Sequence, residues 1–480
     1  MTFFLKKIIG FGMILFLSHS GFSFAETPLK LLPVPVIETL PNGLNVAWFI
    51  DNRLPIVDLS LIVEAGHRDD PVGLSGTADL VAASLDRGAG GMTTQQLSRA
   101  IDFMGGISYA SADDDSSIVG MHGLATDASE LLGILGKLTL QPEFLKSQVE
   151  LQRSRLVDRW SHLEDYSAAL VSNVYHRILA ADTLYGRGGL ASIRELKRVN
   201  QKDVVKFYHK YFTAKNSILV VIGRVDPSDF RAKIASVFGT WGPGDAAKET
   251  SSVILSKAIK LGPKNRNLKR KKDSIVLVNR PLLTQAQIRM GFRVPSVRSP
   301  EHYPLLVANA LLGGYFGSRL NSEIRDKLGL TYGITSAITY NKEYAEFTIS
   351  TATRNESVGQ LIHKVSESLL QLKNGTVPST EVDAAKSYLE GGFPLLVSTL
   401  ESVASRWLTG FVFELGPDFL NEFIPKIHAV TQSEVQNAIQ KSFDVKNLVV
   451  VIAGDSKEIK KSLALSKFNS VKQVAISDLK

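Results

Sequence analysis

Apolar and polar positions alternate over Val57-Asp-Leu-Ser-Leu-Ile-Val63, which predicts a strand with one buried face. Just before it, Asn42-Gly43 stands between Leu40-Pro41 and Leu44-Asn-Val-Ala-Trp-Phe-Ile50, a turn signal between two apolar runs that predicts a β-hairpin. Gly76 to Leu85 then reads as an apolar helix, and Thr93-x-x-Gln96 is a capping box for a second helix through Met104. Gly105 to Ala112 reads as a strand. Helical spacing continues over 127–138, 142–163, 165–180 and 193–212. The unbroken run Ile218-Leu-Val-Val-Ile222 predicts a buried strand, and Asp226-Pro227 opens a further helix.

Around Trp241-Gly-Pro-Gly this pattern lapses, and a polar stretch ends in Lys269-Arg270-Lys271-Lys272. A basic run between two structured regions is read as a solvated linker over 246–272. Beyond it the order of elements starts again. Val199-Asn-Gln-Lys-Asp-Val204 through Asn216 and the following strand align without gaps on Val430-Thr-Gln-Ser-Glu-Val435 through Asn447 and its strand, at a constant offset of 231. Identities fall at Val199/Val430, Gln201/Gln432, Val204/Val435, Phe212/Phe443, Lys215/Lys446, Asn216/Asn447 and Gly223/Gly454. A helix, a turn and a core strand thus recur together, which implies a tandem repeat of one α+β unit, over 26–245 and 273–480. Each unit is expected to be a mainly antiparallel sheet with helices packed on one face.

Met1-Thr-Phe-Phe-Leu-Lys-Lys, the short apolar run Ile8 to Leu17 and Ser23-Phe24-Ala25 have the order of a cleavable secretory signal, residues 1–25. Neither this run nor any later one is long and apolar enough for a membrane-spanning helix. There is no cysteine, so no disulfide, thiolate metal site or lipoprotein anchor is available. Export without an anchor implies the periplasm, with secretion beyond the cell as the lesser alternative. Removing the signal takes two lysines and no acid from a net charge of +8, leaving +6. Without aromatic-basic clustering, that mild excess is no nucleic-acid footprint.

The densest chemistry lies in Gly317-Ser-Arg-Leu-Asn-Ser-Glu-Ile-Arg-Asp-Lys-Leu-Gly-Leu-Thr-Tyr332. Leu320, Ile324 and Leu328 recur at helical spacing, Gly329 supplies a left-handed stop, and Leu330 to Tyr340 alternates as a strand. Arg325 and Tyr332 would face each other across that turn, two donors suited to a carbonyl oxygen gaining negative charge. On the residues alone, a solvated Arg325 and a half-buried strand Tyr332 serve as well. Ser318-Arg319-Leu320, Arg325 and Gly329-Leu330-x-Tyr332 together resemble the C-terminal-domain signature of the pitrilysin/insulinase family of zinc metallopeptidases. Leu184-Tyr-Gly-Arg-Gly-Gly189 is similar to that family's loop before the last long helix of the first domain. The resemblance covers the mature chain and implies two homologous α+β domains, with Arg325 and Tyr332 as the residues that contact the scissile carbonyl.

In active members the first helix after the hairpin carries H-x-x-E-H, two zinc ligands and a water-activating Glu. The matching frame here is Gly76-Thr-Ala-Asp-Leu-Val-Ala-Ala83, which puts Asp79, Ala82 and Ala83 in place of His, Glu and His. The family's third ligand falls within Arg155 to His162, where Asp158 stands and no Glu. No pair of histidines has the spacing of a metal site, and His67, beside Arg68-Asp69-Asp70, reads as a solvated loop residue. No metal is therefore expected on this chain. There is also no Gly-x-Ser-x-Gly elbow for a serine nucleophile.

Some family members are heterodimers in which one chain holds zinc and the other the Arg/Tyr pair. The resemblance implies the second type: inactive alone, stabilising the oxyanion in partnership with a homologous H-x-x-E-H subunit that carries the zinc, and acting on unfolded peptides. Gly106, Ile107, Ser108, Tyr109 and Ala110 resemble the edge strand to which such a peptide adds by backbone pairing. A peptide-binding or structural scaffold with no hydrolytic role, and a peptide-holding homodimer, are the rival readings.

Overall fold

The structure, a computed structural model, describes residues 32–187, 189, 192–244, 275–466 and 470–475. The expected signal segment 1–25 and linker 246–272 lie outside the described residues. Strands β1 (Val36–Thr39), β2 (Asn45–Ile50), β3 (Ile56–Val63), β4 (Ile107–Ala112), β5 (Ser117–Leu124) and β6 (Ser217–Gly223) form one sheet in the order β1-β2-β6-β3-β5-β4. The Asn42-Gly43 turn closes the β1–β2 hairpin, with Gly43 at φ +90° and Thr39 opposite Asn45. β6 enters between β2 and β3, parallel to the first and antiparallel to the second. It is buried along its whole length, as its unbroken apolar run requires.

A second six-stranded sheet follows from β7 (Ile275–Asn279), β8 (Gln285–Val294), β9 (Ile334–Tyr340), β10 (Ala345–Arg354), β11 (Val449–Gly454) and β12 (Val471–Val474), in the order β12-β7-β11-β8-β10-β9. From the second position onward the two orders correspond strand for strand. Only the first differs, β1 lying antiparallel to β2 and β12 parallel to β7. Both sheets are α+β and mainly antiparallel. The repeat also extends to side-chain detail. Asn200 with Asp203 and Thr431 with Glu434 form capping boxes on equivalent helices, Gln201–Tyr211 and Gln432–Ser442. One residue on, the Gln201 and Gln432 side-chain amides each donate to a carbonyl, of Phe144 and Val377 respectively.

The helices of each half cover one face of its own sheet, and each half lends one helix to the other's second face. Leu170, Val174 and Tyr175 of the helix Ser167–Leu179 share a core with Val276, Val278, Val449 and Val451 of the second sheet. Reciprocally, Trp407 of the helix Leu400–Val412 meets the Phe49 ring of β2 edge-on, centroids 5.7 Å apart. Polar contacts run along the same seam. The Tyr175 hydroxyl donates to the Phe347 carbonyl at 3.0 Å, and Lys342 Nζ lies 3.2 Å from Glu64.

Two sequence expectations shift. The helix anticipated over 193–212 is split into Ile193–Leu196 and Gln201–Tyr211, because Asn200 leaves helical geometry to cap the second piece. The strand anticipated from Leu330 begins only at Ile334. Among the described residues no helix is long and apolar enough to cross a membrane.

Candidate functional site

The first helix, Thr77–Ser84, packs beside edge strand β4 and carries the positions where zinc ligands would stand. Its start is capped from a distance: the buried Asp70 carboxylate accepts from Gly76 N at 2.6 Å and Ala78 N at 2.8 Å. Burial pushes the Asp70 carboxyl up to about 7. Ala82 is buried in the core, and Ala83 is partly buried against it. Asp79 is paired instead with His67, Nε2 to Oδ2 at 3.0 Å, while His67 Nδ1 lies 3.3 Å from Asp114.

His67 is thus not a solvated loop residue. Its backbone N–H donates to Asp113 O and that of Arg68 to Asp114 O, so the β4–β5 hairpin loop closes over the turn. Burial pulls the imidazole's pKa down, but hydrogen bonding to Asp114 and Asp79 outweighs it and holds the pKa well above the usual value. Both imidazole nitrogens thus face carboxylates, Nε2 that of Asp79 and Nδ1 that of Asp114. Asp158 has a side chain that is 75% exposed and lies beside His162. Zinc does not fit these residues. Among the described residues, no three His, Cys, Asp or Glu side chains are grouped to hold an ion.

β4 is the edge of its sheet, paired only with β5, Ile107 opposite His122 and Tyr109 opposite Gly120. Gly106 precedes the strand, and Ile107 is exposed. The Tyr109 ring folds flat over Gly120, where a Cβ would stand 2.2 Å from it, so only glycine admits the ring. Its hydroxyl is within 2.6 Å of Ser60 Oγ and donates to Asp58 at 3.0 Å. The strand's own side chains are thus tied back to the sheet at Tyr109, and its backbone edge is what it presents.

In the second half, the helical residues 319–327 widen into a π-helix over Asn321–Lys327, a wide-turn geometry common at functional sites. Leu320 and Ile324 are fully buried as their spacing implies, whereas Leu328, in the closing turn, is 39% exposed. Gly329 takes φ +60°, and its N–H returns to the Arg325 carbonyl. Tyr332 lies ahead of β9 and is 100% exposed, not half-buried in a strand. Its neighbours are pinned: Thr331 Oγ1 donates to Ala352 O at 2.7 Å and bonds Gly333 on the other side.

Arg325 is not freely solvated either. Its Nε–H donates to Asp326 at 2.8 Å, and its Cζ lies 3.6 Å above the centroid of the Phe316 ring. Arg325 and Tyr332 flank the Gly329 turn, and among the described residues no hydrogen bond joins them. Sequence reasoning missed Phe316 and Asp326, because an aromatic or acid beside a helix end has no periodic signature.

Two α+β repeats that exchange helices, with an edge strand beside a helix that holds Asp79, Ala82 and Ala83 where H-x-x-E-H would stand, define a protein with the frame of a two-domain metallopeptidase. The insulinase model (peptidase family M16) matches residues 47–188, and the model of the peptidase M16 inactive domain matches 198–389. The chain belongs to this pitrilysin/insulinase family. It is 24% identical to an uncharacterized zinc protease of Mycobacterium leprae, over 77% of this chain and 80% of that one. An uncharacterized zinc protease of Rickettsia felis is 24% identical over 85% of this chain and 94% of its own. Among solved structures, a peptidase M16 inactive domain from Pseudomonas fluorescens superposes with a TM-score of 0.74 at 22% identity, covering 88% of this chain and 98% of that one. A protease from Helicobacter pylori gives 0.72 at 17%, covering 88% and 100%. The match to the inactive-domain model, with Asp79, Ala82 and Ala83 at the H-x-x-E-H positions, makes this chain of the catalytically inactive type.

Proposed function

We propose that this chain is the non-hydrolytic subunit of an exported, periplasmic heterodimeric peptidase, holding unfolded peptides and stabilising the oxyanion. The observation that carries the reading is a division of labour within one molecule. The first helix carries Asp79, paired with His67, and Ala82 and Ala83 where H-x-x-E-H would stand, whereas Tyr332 stands fully exposed on a pinned turn with Arg325 held just before it. A peptide backbone would add along β4 beside the first helix. The terminal nitrogens of Arg325 and the phenol of Tyr332 would then donate to the scissile carbonyl oxygen as charge develops on it, the stage at which fixed donors help most. Zinc and its water-activating Glu are assigned to a homologous H-x-x-E-H subunit.

In a mixed complex with such a subunit, Arg325→Ala should lower kcat by about 100-fold or more, the scale of one lost oxyanion donor, and Tyr332→Phe should lower it less. Co-elution on gel filtration should be unchanged. Wild-type turnover in both variants would refute the shared site. It would favour a peptide-binding or structural scaffold, a role to which the ion-paired first helix is equally suited.

A further inference from the structure

We propose that Phe316 is the positioning residue of Arg325, a platform that fixes the plane of the guanidinium and turns its terminal nitrogens toward an acceptor. The inference rests on the reading of Arg325 as a donor to the substrate carbonyl. Phe316 is 71% exposed and belongs to neither core, so packing does not explain a large apolar ring at this place. What lies on it is the guanidinium, Cζ 3.6 Å from the centroid, within cation–π range.

A guanidinium is planar and carries five N–H donors. Here one face lies on the ring and the Nε–H is taken by Asp326. A face contact and an edge contact together fix the orientation of a plane. The four N–H groups of the two terminal nitrogens have no acceptor among the described residues, and they are the groups a carbonyl oxygen would meet. The platform itself is anchored. Tyr315 stacks on Tyr388 with centroids 4.8 Å apart, and its carbonyl accepts from Ser318 N at 3.1 Å and Asn321 Nδ2 at 3.2 Å. The backbone on both sides of Phe316 is thereby held between the π-helical turns Ala310–Gly314 and Asn321–Lys327. An arginine that is already oriented gives up little rotamer freedom when its acceptor arrives.

The test compares Phe316→Leu, which removes the π face, with Phe316→Tyr, which keeps it. In the mature chain alone, the Arg325 side-chain proton resonances, assigned with Arg325→Lys, should show an upfield ring-current shift that Phe316→Leu abolishes and Phe316→Tyr retains. In the mixed complex, Phe316→Leu should lower kcat about two- to fivefold at unchanged KM, with Tyr restoring most of it. A wild-type shift in Phe316→Leu, or wild-type kcat in that variant while Arg325→Ala is impaired, would overturn the proposal. If Arg325→Ala leaves turnover intact, the oxyanion reading fails. The clamp itself is then decided by the shift alone.

Discussion

His176 shows how much one side chain does at the seam between the halves. Its Nδ1 lies 2.8 Å from Glu346 of β10 and its Nε2 donates to the Tyr185 carbonyl at 2.6 Å. Burial pulls the imidazole down, but the Glu346 carboxylate raises it further, to about 9. A folded-state pKa above the unfolded value near 6.5 means that this stabilisation is complete below about pH 6.5 and is lost as pH rises through about 9. Thermal denaturation from pH 6 to 10 should show that loss. His176→Gln should flatten the profile, removing on the order of 2 kcal/mol at pH 7 and little at pH 10. An unchanged profile would mean that the pair does not couple the halves. Neither His176 nor His67 was legible in the sequence. Glu346 and Asp114 lie far along the chain, Asp79 reaches His67 only through the fold of the intervening turn, and a lone histidine carries no periodicity.

At the scale of elements, what is local was legible. Thr93 and Gln96 cap their helix reciprocally, Asp226 caps the helix that Pro227 begins, and Asn42-Gly43 turns the hairpin. Each of these signals is a side chain bonding backbone within a few residues. The π-helix at Asn321–Lys327 was not legible, because Leu320 and Ile324 are spaced alike for α and π windings. Edge strand β4 was legible as a strand, but the use of Tyr109 was not, since it depends on Gly120 across the sheet. Gly120→Ala should push the Tyr109 ring off the sheet and free its hydroxyl from Asp58 and Ser60. Urea denaturation should then show about 2 kcal/mol lost, and β4 amides should exchange faster with solvent. Wild-type stability and exchange would contradict that account of the edge.

Over the whole molecule, the repeat made the two-domain α+β class legible, and the family follows from the fold and the matched models. The exchange of helices between halves was recorded only faintly. Along β7 every second residue serves a different core: Ile275 and Leu277 face the second half's own helices, and Val276 and Val278 face the core built by the first half. An unbroken apolar run says that both faces are covered, without saying by what. Within the first half, the first helix is packed against its neighbours and ion-paired at Asp79 where active members would bind zinc, and that is the central claim. Its most direct test is zinc content and cleavage of an unfolded peptide, for the purified mature chain alone and after co-expression with an H-x-x-E-H relative. Neither zinc nor cleavage is expected from the chain alone, and both from a stable mixed complex. Stoichiometric zinc and cleavage by the single chain would contradict it.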